Sequence, residues 1–344
     1  MNLYTKVDIP ATNFKIDYSS RLAFFGSCFA DNISAQFAER KFKEMANPFG
    51  TVYNPVSLES QIKAITDGKV FGENDVFKDE RCDGLWHSWD AHSSLSAHTR
   101  EECIDKLNAA TMQTRDFLQK ADVVFVTLGT SFVYFLKGNG KPVSNCHRQD
   151  PNLFTRRMIS VEEATDAIRE IVASIRLLNP NTSIVLTVSP LRHMSDGTHN
   201  NTLSKATLQL AINNVLLEIA TVTTLPRNDN VSRVSAGAFI EYFPSYEIVM
   251  DELRDYRFYE SDMVHLSRTA EEYIFERMAD TYCSEITRGH IAKVEKFLKG
   301  ARHRVQDESS PATQDFLKKI NAQAAQLETE IPGLNLSDEK RPVK

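Results

Sequence analysis

Residues 22–30 constrain the fold of this chain more than any other stretch. Their apolar, aromatic first half ends at Gly26, and beyond Ser27 the apolar side chains recur three and four residues apart, as in an α-helix. We therefore predict a buried strand, a tight turn and a helix. Ser27 then lies at a helix amino end, where unpaired backbone N–H groups favour negative charge. It can act there as a nucleophile, or it can simply cap the helix, because serine is a favoured N-cap residue.

Two further apolar runs of strand length lie at residues 123–128 and 184–188, and a weaker strand is predicted over 236–242. Helical spacing precedes the first two runs, at 101–120 and 161–178. Apolar strands that alternate with helices are typical of a parallel sheet covered on both faces. We predict an α/β domain over residues 1–284.

Residues 285–344 form a predicted helical extension, because two amphipathic segments lie there at 291–301 and 313–328. The tail beyond about Pro332 is polar, and we expect it to be disordered.

The composition argues against several classes of function. The 344 residues carry a formal net charge of -6, with a pI near 5.9. No excess of positive charge therefore favours nucleic acid or an anionic membrane. The first twenty residues lack the apolar core of a signal peptide, and the five cysteines show no Cys-x-x-Cys spacing. We expect a cytoplasmic protein that binds neither nucleic acid nor membranes.

A second informative pattern is Asp262 followed three residues later by His265. An acid at this spacing can fix the tautomer of the histidine and leave its other nitrogen for a nucleophile, as in a serine triad. Alternatively, Asp262 caps the next helix and His265 is an ordinary, partly buried histidine. The first interpretation is favoured because the ends of parallel strands, including Ser27, gather at one edge of the sheet.

The motif at residues 26–30, with those at 47–50, 128–131 and 262–265, resembles the GSCFA family, which is related to the SGNH (GDSL-like) hydrolases. The resemblance extends over about residues 14–282. It implies a three-layer α/β/α, flavodoxin-like fold of the SGNH type. It also implies that Ser27 is the nucleophile, His265 the base and Asp262 the acid that orients it.

The resemblance also implies an oxyanion site. In the related hydrolases a glycine after the second strand and an asparagine in the third motif donate hydrogen bonds, beside the N–H of the nucleophilic serine. The glycine corresponds to Gly50, whereas Ser131 stands where the asparagine is expected. Either the Ser131 hydroxyl or the amide of Asn145, on a nearby loop, is expected to replace it. This chemistry needs no metal and no organic cofactor.

Several residues remain open to more than one interpretation. Cys28 is a rival nucleophile, or a buried structural thiol. Trp86, His87 and His92 are expected to line the substrate site. With Trp89 they can instead form a packed loop, and His87, Asp90 and His92 can in principle bind a metal.

His147, Arg192 and His193 lie on other loops near the predicted strand ends. We expect His147 and Arg192 to contact the substrate, Arg192 through an anionic group. The alternative is a role at the solvated surface.

The resemblance implies serine-dependent ester hydrolysis, and by analogy with the related hydrolases we expect a small-molecule or carbohydrate ester, such as an O-acetylated sugar, as the substrate. An O-acyltransferase would use the same triad. A non-catalytic carbohydrate-binding or scaffold protein would account for the missing asparagine.

Overall fold

The structure is a computed structural model that describes residues 5–224, 238–302 and 310–342. Its strands are β1 (Arg21–Gly26), β2 (Lys43–Ala46), β3 (Phe77–Lys78), β4 (Trp86–His87), β5 (Val123–Leu128), β6 (Phe132–Leu136), β7 (Phe154–Met158), β8 (Ser183–Val188) and β9 (Ile240–Tyr242). Its helices are α1 (Cys28–Glu39), α2 (Pro55–Thr66), α3 (Arg100–Leu118), α4 (Val161–Leu178), α5 (Thr198–Thr224), α6 (Ser245–Glu247), α7 (Arg268–Tyr282), α8 (Glu285–Ala301) and α9 (Pro311–Glu330). The strand predicted over 236–242 is seen from residue 240, and its first two residues lie outside the described ranges.

Five strands form the predicted parallel sheet, in the order β2-β1-β5-β8-β9. After β2 the chain crosses back over β1, so the direction of winding changes between β1 and β5. This is the flavodoxin-like order, and ligands bind such sheets at that switch point, beyond the carboxyl ends of the strands. The predicted α/β class and parallel sheet are confirmed, and the two residues that follow β1 and β5 at this point are Ser27 and Gly129.

Alternate residues of each strand point to opposite faces of the sheet, which produces three layers. Leu22 and Phe24 of β1 pack in one hydrophobic cluster with α1, α7 and the C-terminal helices. Ala23 and Phe25 pack in a second cluster with α2, α3, α4 and α5. Because both faces are covered, the strands read as continuous apolar runs in the sequence.

The C-terminal extension packs on the first of these clusters. Phe297 of α8 and Ala324 of α9 belong to it, and so does Leu336, which is fully buried. The expectation of disorder beyond Pro332 is therefore wrong for residues 332–342. At Gly333 the tail lies so close to the backbone of Tyr18 and Ser19 that a Cβ would clash with it. The prediction failed because the segment is mostly polar, and two buried leucines, Leu334 and Leu336, anchor it nonetheless.

Two antiparallel hairpins, β3–β4 and β6–β7, were not predicted from the sequence. Within the described ranges, no helix has both the length and the apolar character that crossing a membrane requires.

Candidate active site

The turn after β1 requires glycine. Gly26 has φ +124°, and a Cβ on it would lie 1.9 Å from the carbonyl oxygen of Thr127. The close approach lets the Ser27 N–H donate to Thr127 O (3.1 Å), while the Gly26 N–H donates to Asn47 Oδ1 (2.8 Å). The nucleophile predicted from the sequence is thereby fixed at the switch point by contacts with β5 and with the loop after β2.

The hydroxyl of Ser27 is buried and has no hydrogen-bond partner. Ser27 occupies the N-cap position of α1, but its side chain does not cap the helix. A buried hydroxyl without a partner typically costs about 1–3 kcal/mol, so it is unusual unless it serves another purpose. Capping alone therefore does not explain this serine.

Asp262 and His265 form a pair on the loop before α7. His265 Nδ1 is hydrogen bonded to Asp262 Oδ2 at 2.5 Å. The other carboxylate oxygen, Asp262 Oδ1, accepts the backbone N–H groups of Val264 and His265, each at 2.9 Å. These bonds, the one from His265 foremost, lower the pKa of Asp262 to about 2. The carboxylate stays ionised in neutral solution, and the pairing leaves Nε2 of His265 for another partner.

Ser27 and His265 both line a single cleft of about 580 Å³. Its other walls include Tyr53, Phe132, Tyr134, Asn145, Arg192 and His193. The Asp262–His265 contact is made, whereas Ser27 Oγ is not hydrogen bonded to His265. Such contacts are often loose without substrate, and both members of the pair are about half exposed on their loop.

The residues expected to donate to an oxyanion are mostly engaged elsewhere. The Gly50 N–H donates to Asn47 O (2.7 Å), and Gly50 is needed because a Cβ there would lie 2.0 Å from His92 Cβ. Ser131 is fully buried and does not line the cleft, and its N–H donates to Ser204 Oγ (2.7 Å). Asn145 does line the cleft. Its Oδ1 accepts the His147 N–H, which leaves the Nδ2 group as a donor.

Of the residues expected to contact substrate, the structure places Arg192 in the cleft and the other four outside it. Trp86 lies beneath the Arg100 guanidinium, and His92 packs on Gly50. His87 is buried and bonds Ser96 and Asp83. These side chains pack within the loop that covers α2 and α3. This is the packed loop that was predicted from the sequence as the alternative to a substrate site.

His147 is also buried, where its ring bonds Ser88 and Ser93, and burial lowers its pKa to about 4. It stacks on His87 and supports the same loop.

The three residues considered for a metal are not brought together. Asp90 pairs with Lys69 and Lys141, whereas His87 lies near Asp79 and Asp83. The Asp79 carboxylate there already accepts backbone N–H groups from residues 81, 82 and 83.

Lys205 of α5 is a buried residue beneath the cleft that the sequence did not reveal. Its Nζ donates to Gly129 O and Ser189 O, both at 2.6 Å, and burial lowers its pKa to about 7. These two hydrogen bonds link the carboxyl ends of β5 and β8. No sequence signal marked it, because a lysine on a helix usually lies in solvent.

Residues 21–278 match the model of the GSCFA family, and residues 294–344 match that of the GSCFA domain protein, C-terminal domain. The chain belongs to the GSCFA family. The resemblance found in the four motifs is thus confirmed. No match was found among curated proteins.

Two solved structures are similar to this member of the family. One is a carbohydrate esterase family 3 protein from Talaromyces cellulolyticus, with 7% identity and a TM-score of 0.33 over 80% of this chain and 99% of that one. The other is an acetyl xylan esterase from the rumen bacterium Butyrivibrio proteoclasticus, with 15% identity and a TM-score of 0.31 over 77% of this chain and 64% of that one. Both TM-scores are too low for the likeness to indicate what this chain acts on.

Proposed function

We propose that this protein is a serine-dependent ester hydrolase in which Ser27 is the nucleophile. The observation that carries the proposal is the unpaired, buried Ser27 hydroxyl in a cleft that is also lined by His265, the partner of Asp262. A nucleophile, an imidazole and a carboxylate that orients the imidazole are the parts that acyl transfer requires.

In the proposed reaction, Ser27 Oγ attacks the ester carbonyl carbon and its proton passes to His265 Nε2. Asp262 accepts the Nδ1–H bond and stabilises the imidazolium that results. As the tetrahedral intermediate collapses, His265 returns the proton to the alcohol that leaves. Water then attacks the acyl-serine by the same route and releases the carboxylic acid. The loop that carries the pair must bring His265 to Ser27 when substrate enters.

The cleft walls favour an ester of a polar, hydroxyl-rich alcohol such as an O-acylated carbohydrate. Phe132 and Tyr134 of β6 present aromatic rings, and the Arg156 guanidinium of β7 stacks on both, 4.4 and 5.2 Å from their centres. Aromatic surfaces with a few polar groups are common where ligands bind. Arg192, which is exposed, adds a cation at the rim for an anionic substituent.

Cys28 is the weaker candidate for the nucleophile. It also lines the cleft, but burial and the neighbouring Asp31 carboxylate raise the pKa of its thiol. A thiol needs a lowered pKa to act as a thiolate in neutral solution.

The proposal is tested by labelling the purified protein with a fluorophosphonate and mapping the modified residue by mass spectrometry, alongside hydrolysis of p-nitrophenyl acetate. We expect the label on Ser27, and we expect Ser27→Ala to abolish both labelling and turnover. Cys28→Ser, a matched change one residue away, should retain both. Turnover that survives in Ser27→Ala but not in Cys28→Ser would assign the reaction to the thiol, and an unlabelled, inactive parent would contradict hydrolysis. Acylated sugar formed from an ester and an added sugar would instead indicate an acyltransferase.

A further inference from the structure

An ester hydrolase must stabilise the oxyanion of its tetrahedral intermediate, and of the groups expected to do so only the Asn145 amide remains as a donor in the cleft. The N–H of Ser27 donates to Thr127, that of Gly50 donates to Asn47, and Ser131 is buried outside the cleft. Each missing donor typically costs a factor of about 10²–10³ in kcat. A second donor, close to Ser27, is therefore expected beside the Asn145 amide if the proposed hydrolysis is correct.

His193 lies beside the nucleophile. A Cβ atom placed on Gly129 would lie 3.1 Å from His193 Nε2 and 3.4 Å from Ser27 Cβ. The imidazole nitrogen and the serine thus border one small space, which stays open because residue 129 is glycine. The space lies at the carboxyl end of β5, next to the cleft that both side chains line.

The surroundings hold the His193 ring in place. The backbone N–H of His193 donates to Asn201 Oδ1 (3.0 Å), and its ring packs edge-on against Tyr53 at 5.2 Å between ring centres. Beneath it, Lys205 fixes the carbonyl groups of Gly129 and Ser189.

The same surroundings keep the imidazole neutral. Burial, then Lys205, and also Arg156, lower the pKa of His193 to about 4, and Asp196 opposes this effect only in part. A neutral imidazole carries one N–H and can donate it to an oxyanion without giving up a charge.

We propose that His193, through Nε2–H, donates a hydrogen bond to the oxyanion in the space beside Gly129. This assignment rests on the proposed hydrolysis and deepens it. His193 then takes the role for which the related hydrolases use an asparagine, and His265 remains the base. The absence of a side chain at residue 129 lets the substrate carbonyl oxygen reach the point between Ser27 and His193.

The test compares His193→Phe, which keeps a ring against Tyr53 but has no donor, with His193→Gln, whose amide N–H reaches a similar position. We expect kcat for p-nitrophenyl acetate to fall about 10²–10³-fold in His193→Phe with KM changed little, and to stay within about tenfold of the parent in His193→Gln. The ascending limb of the pH profile should be the same in all three proteins, because His265 still acts as the base.

A second variant examines the space itself. Gly129→Ala places a methyl group where the oxyanion would lie, 3.1 Å from His193, 3.3 Å from Tyr53 and 3.4 Å from Ser27, so that these neighbours would have to shift by a few tenths of an ångström. We expect a fold close to the parent by circular dichroism and thermal melting, and a loss of kcat of at least about 100-fold.

Full activity in His193→Phe or in Gly129→Ala would overturn the assignment, and so would equal losses in His193→Phe and His193→Gln. If the ascending limb of the pH profile disappears with His193, the residue is a base and not an oxyanion donor. These results all require a parent that is labelled and active. A parent that shows neither labelling nor turnover would overturn the proposed hydrolysis, and this assignment with it.

Discussion

The two walls of the cleft are built in opposite ways. On one wall, Ser27 is buried, and its backbone is held by Thr127, a hundred residues away in the chain. On the other wall, His265 is about half exposed, as is its partner Asp262 on the same loop, and their hydrogen bonds join residues within four positions of one another. The first wall depends on the whole sheet, whereas the second depends on a short loop.

This difference indicates how the two walls contribute to the protein. The buried wall places a hydroxyl in a defined position where it has no hydrogen-bond partner, and this placement costs stability. The loop wall contributes little to stability, because an exposed ion pair is worth little. It can instead move its imidazole toward Ser27 when a substrate fills the cleft. Substitutions in the two walls should therefore separate activity from stability.

The largest effect on activity without a change in stability is expected from Asp262→Asn. The variant keeps the size of the side chain but loses the charge that orients His265, and comparable changes in serine triads cost about 10⁴-fold in kcat. We expect a loss of about 10³–10⁴-fold in steady-state turnover, with an unchanged midpoint of urea unfolding. A large drop in that midpoint would mean that the loop wall is structural, and the contrast between the walls would fail.

The pH dependence of this pair follows from the sign of its shift. The pKa of Asp262 is lowered from 3.8 to about 2, so its stabilising contribution is fully present above pH 3.8 and is lost as the pH falls through 2. Any activity that is lost on acidification between pH 7 and 5 therefore does not arise from protonation of Asp262.

Gly26→Ala should have the largest effect on stability. A methyl group there would lie 1.9 Å from Thr127 O, and the backbone has φ +124°, so β1 and β5 would have to separate at the switch point. We expect a loss of at least about 3 kcal/mol in the free energy of unfolding, measured by urea denaturation. Gly84→Ala also replaces a glycine with positive φ, but it meets no atom within 4 Å, and it should cost only about 1 kcal/mol. Equal losses in the two variants would show that the close approach to Thr127 is unimportant.

The smallest effect on stability is expected from removing either of two buried hydroxyl groups that have no hydrogen-bond partner, Ser27 Oγ and Ser131 Oγ. Alanine at either position removes an unpaired polar group, and we expect a gain of about 1 kcal/mol in the free energy of unfolding for both. Only Ser27→Ala should lose activity, because Ser131 lies outside the cleft. A loss of about 100-fold in Ser131→Ala would restore the role of oxyanion donor that the sequence motif implied for it.

Local patterns in the sequence predicted a large part of the fold. The helix over residues 161–178 was predicted with the bounds of α4, because a strong apolar stripe and a capping serine mark it. The strands β1, β5 and β8 were recognisable because burial on both faces leaves them mostly apolar. The hairpin β6–β7 was missed, because its pattern mixes exposed and buried residues without clear alternation.

The site was less predictable than the fold. The pair of Asp262 and His265 is a local arrangement, so its spacing alone allowed its bond to be predicted. The cluster around Trp86 and His87 resembled a ligand surface, because aromatic and histidine side chains serve packing and binding equally well. Lys205 and the space beside Gly129 leave no mark on the sequence, since both depend on which strand ends meet.

The sequence by itself thus determined the alternation of strands and helices, the turn at Gly26 and the Asp262–His265 pair, because each depends on residues that are close in the chain. The tertiary structure alone decided which groups surround Ser27. It engaged the N–H groups of Ser27 and Gly50, buried Ser131, and brought His193 close to Ser27. The physical reason is that hydrogen bonds and burial at a switch point involve strands and loops far apart in sequence, so no local pattern encodes them.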